Sequence, residues 1–248
     1  MEPLLIFSNV GAGRLVARRA RFTVEIEGED GRTRLCHLHD PGRLRHLLRR
    51  GVRVYYRPVW RPGRRTSCDM VAVDDGDVLV LEDTRVPNLV VPRVIGGPAL
   101  LPGYRLEARE AQVAGLRVDF VASAPDGKLA LVEAKGTNLA VGGAALFPDA
   151  PSRRAWRQLE ALAASTSAGV EAHVVFVALR PDVDIVAPNR VVDLRFSRLL
   201  CSLRGRIRYH GLRLAPVLDV ERRRIFVASA EPIPVEPCAA PAGQRGGE

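Results

Sequence analysis

The stretch Leu116–Gly136, LRVDFVASAPDGKLALVEAKG, contains two apolar runs joined by Pro125, Asp126 and Gly127. Strong β-formers on either side of a Pro-Asp-Gly cluster predict a hairpin. Folding it about Asp126 sets Asp119 opposite Glu133, within one residue of register, and opposed residues of an antiparallel pair share a face. Lys135 follows Glu133 by two, so strand alternation brings it to that face as well. Two carboxylates and an ammonium are therefore expected at one strand edge, among apolar neighbours such as Phe120, Leu131 and Val132.

Carboxylates crowded in apolar surroundings either gain proton affinity or recruit a cation. Mg²⁺ takes one or two carboxylates plus carbonyls, waters and phosphate oxygens, so Asp119, Glu133 and the carbonyl of Ala134 are the candidate metal ligands. Lys135 would then neutralise a scissile phosphate or orient an attacking water. The chain has 35 Arg and only two Lys, Lys128 at the hairpin tip and Lys135. A lysine here, in a chain that otherwise uses Arg, suggests a requirement that Arg does not meet. The plain alternative is a solvated ladder of ion pairs on a strand edge.

The length of 248 residues allows one large or two ordinary domains, and a hydrophobic content of 47% supports a sizeable core. No run of 18 apolar residues and no signal-peptide pattern occurs, so a soluble cytoplasmic protein without a membrane partner is expected. Cys36, Cys68, Cys201 and Cys238 are dispersed without a CxxC pair, which argues for reduced, incidental thiols. Cys36, His37 and His39 cluster, but no second ligand pair follows to complete a zinc site.

The net charge of +9 is uneven: Arg14–Arg65 holds 15 Arg against five acids. A basic first half beside a near-neutral second half points to a polyanion, nucleic acid before membrane. Within this half, Arg21–Gly28, Thr33–Leu38, Val52–Val59, Ser67–Val73 and Val78–Glu82 read as strands, and Leu44–Leu48 as a short basic helix closed by Gly51. Five short strands with one helical insertion suit an OB-like barrel. Such barrels hold single strands with a charged groove and stacked aromatics. Arg21, Arg43, Arg45, Arg64 and Arg65, with Tyr56 and Trp60, are the candidate nucleic-acid contacts; Tyr55 is a further platform, and Phe22 is expected in the core.

Asp83–Gly103 is expected to cross between domains, with a short helix over Asn88–Ile95. Tyr104–Val113 leads into the hairpin as another strand, and Val141–Phe147 reads as a loop. From Pro148 the pattern turns helical: Asp149 or Ser152 caps, Trp156, Leu159, Leu162 and Ala163 form an apolar stripe, and Arg154 and Gln158 share the first turns. Val170–Leu179 reads as a buried parallel strand. Asp193–Leu203 is a further helix, Ile207–Leu218 and Ile225–Ala228 are strands, and the chain frays from Glu236. The expected domains are a barrel over 1–85, an α/β domain over 86–235 and a tail over 236–248.

An acid on one hairpin strand and E-x-K on the next, followed by a helix and a buried strand, resembles the core of the PD-(D/E)XK nucleases, with Val118-Asp119 in place of Pro-Asp. A wider set of motifs resembles the sugar fermentation stimulation protein A family. It comprises Arg21-Phe22, Pro41-Gly42-Arg43, Asp83-Thr84 with Pro87-Asn88, Arg109-Glu110, Arg117–Phe120, Val132–Gly136, Leu146–Pro151 and Pro188-Asn189-Arg190, running in order over nearly the whole chain. The resemblance implies DNA binding, with strandedness open, an N-terminal OB-fold, a C-terminal nuclease-like domain with a mixed central sheet, and a link to sugar, especially maltose, metabolism. It places Asp119, Glu133 and Lys135 on the nuclease motif, with Glu110 as a further acid. The helix departs from the family's T-x-R-G-x-x-H-L: Gln158 stands in place of His, which removes a proton carrier. The expectation is an α+β protein acting on DNA with Mg²⁺ or Mn²⁺, with room for a homodimer; the alternative is a DNA-binding regulator without catalysis.

Overall fold

A computed structural model describes residues 2–167 and 169–238, which divide into two compact units. The first comprises Met1–Val86 with the later segments Leu179–Asp182 and Leu214–Ser229. Its strands are β1 (Leu5–Phe7), β2 (Gly11–Ala20), β3 (Thr23–Gly28), β4 (Thr33–His37), β5 (Arg53–Pro58), β6 (Cys68–Asp75) and β7 (Val78–Leu81). Six of them follow the order β4-β3-β2-β5-β6-β7, and a parallel pairing of β4 with β6 closes the sheet into the OB-like barrel. Alternation drives this closure: Val24 and Ile26 of β3 point inward and are fully buried with Leu15, Val54, Met70 and Val73.

β2 lies ahead of the first expected strand. Its sequence, GAGRLVARRA, hides the alternation behind glycines and arginines. A Cβ on Gly13 would stand 2.4 Å from the carbonyl oxygen of Glu27, so glycine permits the close approach of β3. The helix expected at Leu44–Leu48 is a single turn, in which the amides of Leu47 and Leu48 both reach the Leu44 carbonyl. Leu44 adopts a left-handed φ of 51°, and burial of Leu44 and Leu47 fixes the turn. Two aromatic expectations are exchanged: Phe22 is 41% exposed, whereas Tyr56 is buried in the barrel core.

The cysteines also require correction, because all four are paired. Cys36 and Cys68 face each other across β4 and β6 and form a disulfide, and Cys201 bonds Cys238. Separations of 32 and 37 residues leave no local motif from which either bond could be read. Cys36 is thereby removed from the His37 and His39 cluster as a metal ligand. The tail expected over 236–248 lies outside the described residues from 239 onward.

The second unit comprises Pro87–Ala178, Val183–Arg213 and the chain from Ala230. It begins with α1 (Val86–Val94), followed by β8 (Arg105–Val113), β9 (Leu116–Ser123) and β10 (Leu129–Thr137). Next come β11 (Ala140–Val141), β12 (Ala144–Phe147), α2 (Arg153–Ala164), β13 (Val170–Ala178), β14 (Ile185–Pro188) and α3 (Leu194–Ser202). β15 (Ile207–Asp219) and β16 (Arg224–Ile233) are each divided between the units. The central sheet runs β15-β13-β10-β9-β8, parallel across β10–β13 and β13–β15 and antiparallel elsewhere, so it is mixed. The segment read as a loop at 141–147 instead contributes to a small sheet, β11-β12-β14, in which β12 finds a parallel partner distant in sequence.

α2 forms where the apolar stripe requires it. Ser152 caps its start by accepting from the Ala155 amide at 3.2 Å, and Ala155, Leu159, Leu162 and Ala163 are buried. They pack on Leu131, Val174 and Phe176 of the sheet, and each fully buried leucine contributes about 2 kcal/mol.

On β13 and β15, His173 Nδ1 and His210 Nε2 lie 2.9 Å apart in stacked rings, with His173 fully buried. Burial, then the neighbouring His173 and Arg208, push His210 down to about 4, and burial likewise lowers His173. Both imidazoles are neutral in the fold, whereas the unfolded chain takes up protons below about pH 6.5. Stability should therefore fall as pH drops from about 6.5 to about 4, by roughly 3 kcal/mol for His210. Thermal unfolding followed by circular dichroism at pH 7.5 and 4.5 should show this loss, and His210→Gln should flatten it.

Candidate active site and nucleic-acid interface

Pairing of β9 with β10 runs from Ser123–Leu129 to Phe120–Val132, and one further step sets Asp119 against Glu133. In the parallel ladder with β13, Glu133 lies beside Val174 and Lys135 beside Phe176. The two residues thus occupy the face covered by α2, where the apolar core gives way to a polar edge.

The Lys135 ammonium donates to Glu133 Oε1 at 2.5 Å and to Gln158 Oε1 of α2 at 2.8 Å. Both charged side chains are largely enclosed, with 14% and 8% of their surfaces exposed for Lys135 and Glu133. Asp119 is half-buried and accepts the Ala134 amide at Oδ2, 2.9 Å away, while Asn88 of α1 donates to Oδ1 at 3.4 Å. Because a strand residue directs its N–H and C=O to the same side, the Ala134 carbonyl also turns toward β9, where pairing has ended.

Burial holds the Glu133 carboxyl above the usual carboxylate range. Lys135 opposes that shift, the charge of Asp119 adds to it, and Arg154 opposes it more weakly. A carboxylate raised by desolvation and by a second carboxylate fits a divalent cation. Asp119, Glu133 and the Ala134 carbonyl are oxygen donors of the type a hard ion takes. Among the described residues no third acidic, His or Cys side chain joins them.

Glu110 stands across β9 from Asp119 but does not reach the edge. Its φ of 49° interrupts the β8 ladder, and its exposed carboxylate turns to Arg117 Nη2 at 3.4 Å. Asn88 was not singled out for chemistry. Its signal lay in the Pro87-Asn88 motif, whose reach to Asp119 depends on how α1 packs.

In the barrel, a cleft of about 460 Å³ gathers Arg57, Arg61, Arg64, Arg65 and Arg85 with His37 and His39 around buried Asp69. Of the expected contacts, Arg64 and Arg65 line it, with Thr23 and Thr66. Arg21, Arg43 and Arg45 are exposed outside the cleft, with Arg21 over the Phe22 ring, and Arg154 belongs to α2 of the other unit. Trp60 is 86% exposed and free to stack. Tyr56 offers no such face. Arg57 and Arg85 escaped the sequence reading, and His37 and His39 were legible only as an incomplete zinc cluster with Cys36, because barrel closure brings the cleft residues together.

A closed OB-type barrel followed by a mixed-sheet α/β unit, with an acid–acid–lysine edge under its first long helix, defines a two-domain architecture. Family models match both parts: the SfsA N-terminal OB domain over residues 16–82 and the sugar fermentation stimulation protein RE domain over residues 85–212. A sugar fermentation stimulation protein homolog of Pyrobaculum neutrophilum is 36% identical over 88% of this chain and 91% of its own length. That of Moorella thermoacetica is 37% identical over 77% and 83%. The structure of Pyrococcus furiosus SfsA in complex with Ca²⁺ superposes with a TM-score of 0.80 at 24% identity, covering 95% of this chain and all of that one. The chain belongs to the sugar fermentation stimulation protein family. Among the described residues no helix is long and apolar enough to cross a membrane.

Replacing Lys135 by Met strands a buried carboxylate, at a cost of about 3 kcal/mol unless Glu133 takes up a proton. The melting temperature of Lys135→Met should therefore fall further below wild type at pH 8 than at pH 5, and adding Glu133→Gln should recover part of the loss.

Proposed function

We propose that the protein is a DNA-binding, metal-dependent nuclease. The barrel would hold the nucleic acid through its Arg-lined cleft, and the edge of β9 and β10 would act on phosphodiester bonds. The observation that carries this reading is the Lys135 ammonium, bridged between Glu133 and Gln158 beside Asp119. Asp119 and Glu133, with the Ala134 carbonyl, would hold Mg²⁺ or Mn²⁺; the Ca²⁺ complex of the Pyrococcus furiosus protein supports a divalent ion in this fold. The ion would supply a Lewis acid for a phosphate oxygen.

The remaining roles belong to side chains of this chain. Asn88 and the Ala134 amide hold the Asp119 carboxylate in place on the strand edge. Gln158 holds the lysine in place, and a compact ammonium in a desolvated corner opposes the negative charge that develops on phosphorus. Arg154 adds positive potential from the first turn of α2, where a polyanion would approach. No histidine joins the described contacts of the edge, so the proton of the attacking water is expected to pass to solvent or to the substrate itself.

A second reading, a DNA-binding regulator of sugar metabolism without catalysis, draws on Glu110. With its carboxylate given to Arg117, the edge presents two acids rather than three. Purified protein should nick labelled DNA with Mg²⁺ or Mn²⁺ and cease in excess chelator. Asp119→Asn and Lys135→Ala should each lower the rate at least ~100-fold, the scale for losing one transition-state charge contact. Salt-sensitive binding without cleavage under any metal would favour the regulator.

A further inference from the structure

The barrel cleft concentrates charge more than tracking of a sugar-phosphate backbone needs. Single-strand grooves distribute cations along a path, one phosphate at a time. Here five guanidiniums share one cleft with a single carboxylate, Asp69. That carboxylate serves as an anchor: it faces His39 Nε2 at 3.1 Å, Arg57 Nη2 at 3.4 Å and Arg85 Nη2 at 3.9 Å, and it accepts a short bond from Arg64.

The anchored arginines are held from one side only. Arg64 gives Nε to Thr66 at 2.7 Å and Nη2 to Asp69 and the Cys68 carbonyl. Arg85 gives Nε and Nη2 to buried Asp83. Among the described residues neither Nη1 has a partner, and the exposed side chains of Arg61 and Arg65 have none at all. A guanidinium carries five donors in a fixed fork, so the cleft retains unspent, pre-oriented donors. Asp69, together with the Asp83 that pairs with Arg85, leaves the five guanidiniums in excess.

Trp60 precedes the cleft residue Arg61 in the chain and is 86% exposed, so its ring is available to a base next to a phosphate. The Phe22 ring is already engaged by His37 at 6.0 Å and by the Arg21 guanidinium at 5.3 Å.

We infer that this cleft binds the terminal phosphomonoester of a nucleic-acid strand, using Arg61, Arg64, Arg65 and Arg85 for the phosphate oxygens and Trp60 for the adjoining base. A monoester carries up to two charges and three acceptor oxygens at neutral pH, whereas an internal diester carries one charge. This inference rests on the nucleic-acid reading of the barrel, and Arg64 and Arg65 are shared with it.

The test uses full-length protein in chelator and short single-stranded DNA labelled internally, with phosphate or hydroxyl at the 5′ end or at the 3′ end. A phosphate at one of the ends should tighten binding about tenfold, the scale of one added charge-assisted hydrogen bond. In the double variant Arg61→Ala, Arg65→Ala, which removes no internal contact and should melt like wild type, the phosphorylated and hydroxyl strands should bind alike. Equal affinity of phosphorylated and hydroxyl strands in the wild type would overturn this inference while leaving nucleic-acid binding intact. Absence of binding by any strand would overturn both. Tight binding of a free nucleoside monophosphate, with no increment on the strand, would replace the strand end by a free nucleotide and overturn the assignment.

Discussion

A carboxylate that is almost fully enclosed at the edge of a sheet is the constraint on which the second unit turns. Glu133 loses most of its hydration where β9 and β10 part, and burial with the charge of Asp119 raises its proton affinity. A buried charge needs a partner and further hydrogen bonds. Lys135, two residues on and therefore on the same face, supplies the partner, and Gln158 fixes the lysine. The helix position that brings Gln158 there is set by apolar packing of Leu159 and Leu162 on Leu131 and Phe176. Core packing and site geometry are thus one arrangement: shifting α2 by a turn would remove the hold on the lysine while leaving the hydrophobic stripe nearly satisfied.

The barrel solves the opposite problem, an excess of one sign. Asp69 is buried and reached by several cations, so burial, which would favour its neutral form, is overcome by the nearby His39 and by the hydrogen bond from Arg64, and the carboxyl is held far below the usual range. One anion at the base of the cleft orders the cations without neutralising them. The same crowding lowers the proton affinity of His37, with burial first and the nearby His39 and Arg64 after it.

Most of this was legible where the sequence is locally periodic. The hairpin register, α2 with its Ser152 cap, the parallel strand at Val170–Ala178 and α3 all follow from alternation or from a helical stripe. The opposition of Asp119 and Glu133 was readable because a short turn fixes register. What escaped depends on closure between distant segments. β2 was obscured by glycine, the Leu44 turn by a left-handed residue, and the disulfides by separations that carry no local pattern. Tyr56 and Phe22 were exchanged for a related reason: closure of the barrel turns Tyr56 of β5 inward, and Phe22 falls in the turn between β2 and β3, where strand alternation does not act. Asn88 and the cleft residues Arg57 and Arg85 belong to the same class.

The choice of lysine at position 135 can be argued from the contacts themselves. A guanidinium is planar and prefers two parallel bonds to one carboxylate. An arginine at 135 would tend to close on both oxygens of Glu133 and leave few lone pairs for a cation. The ammonium is a point charge that contacts Oε1 and turns its other protons to Gln158, so Oε2 makes no described contact with it. In a chain with 35 arginines, the other lysine is at the hairpin tip, exposed and paired with Asp126, where either cation would serve. Buried Arg180, by contrast, spends its fork on Asp75 and Asp182; at Lys135 the compact charge leaves the acid free for a second positive partner.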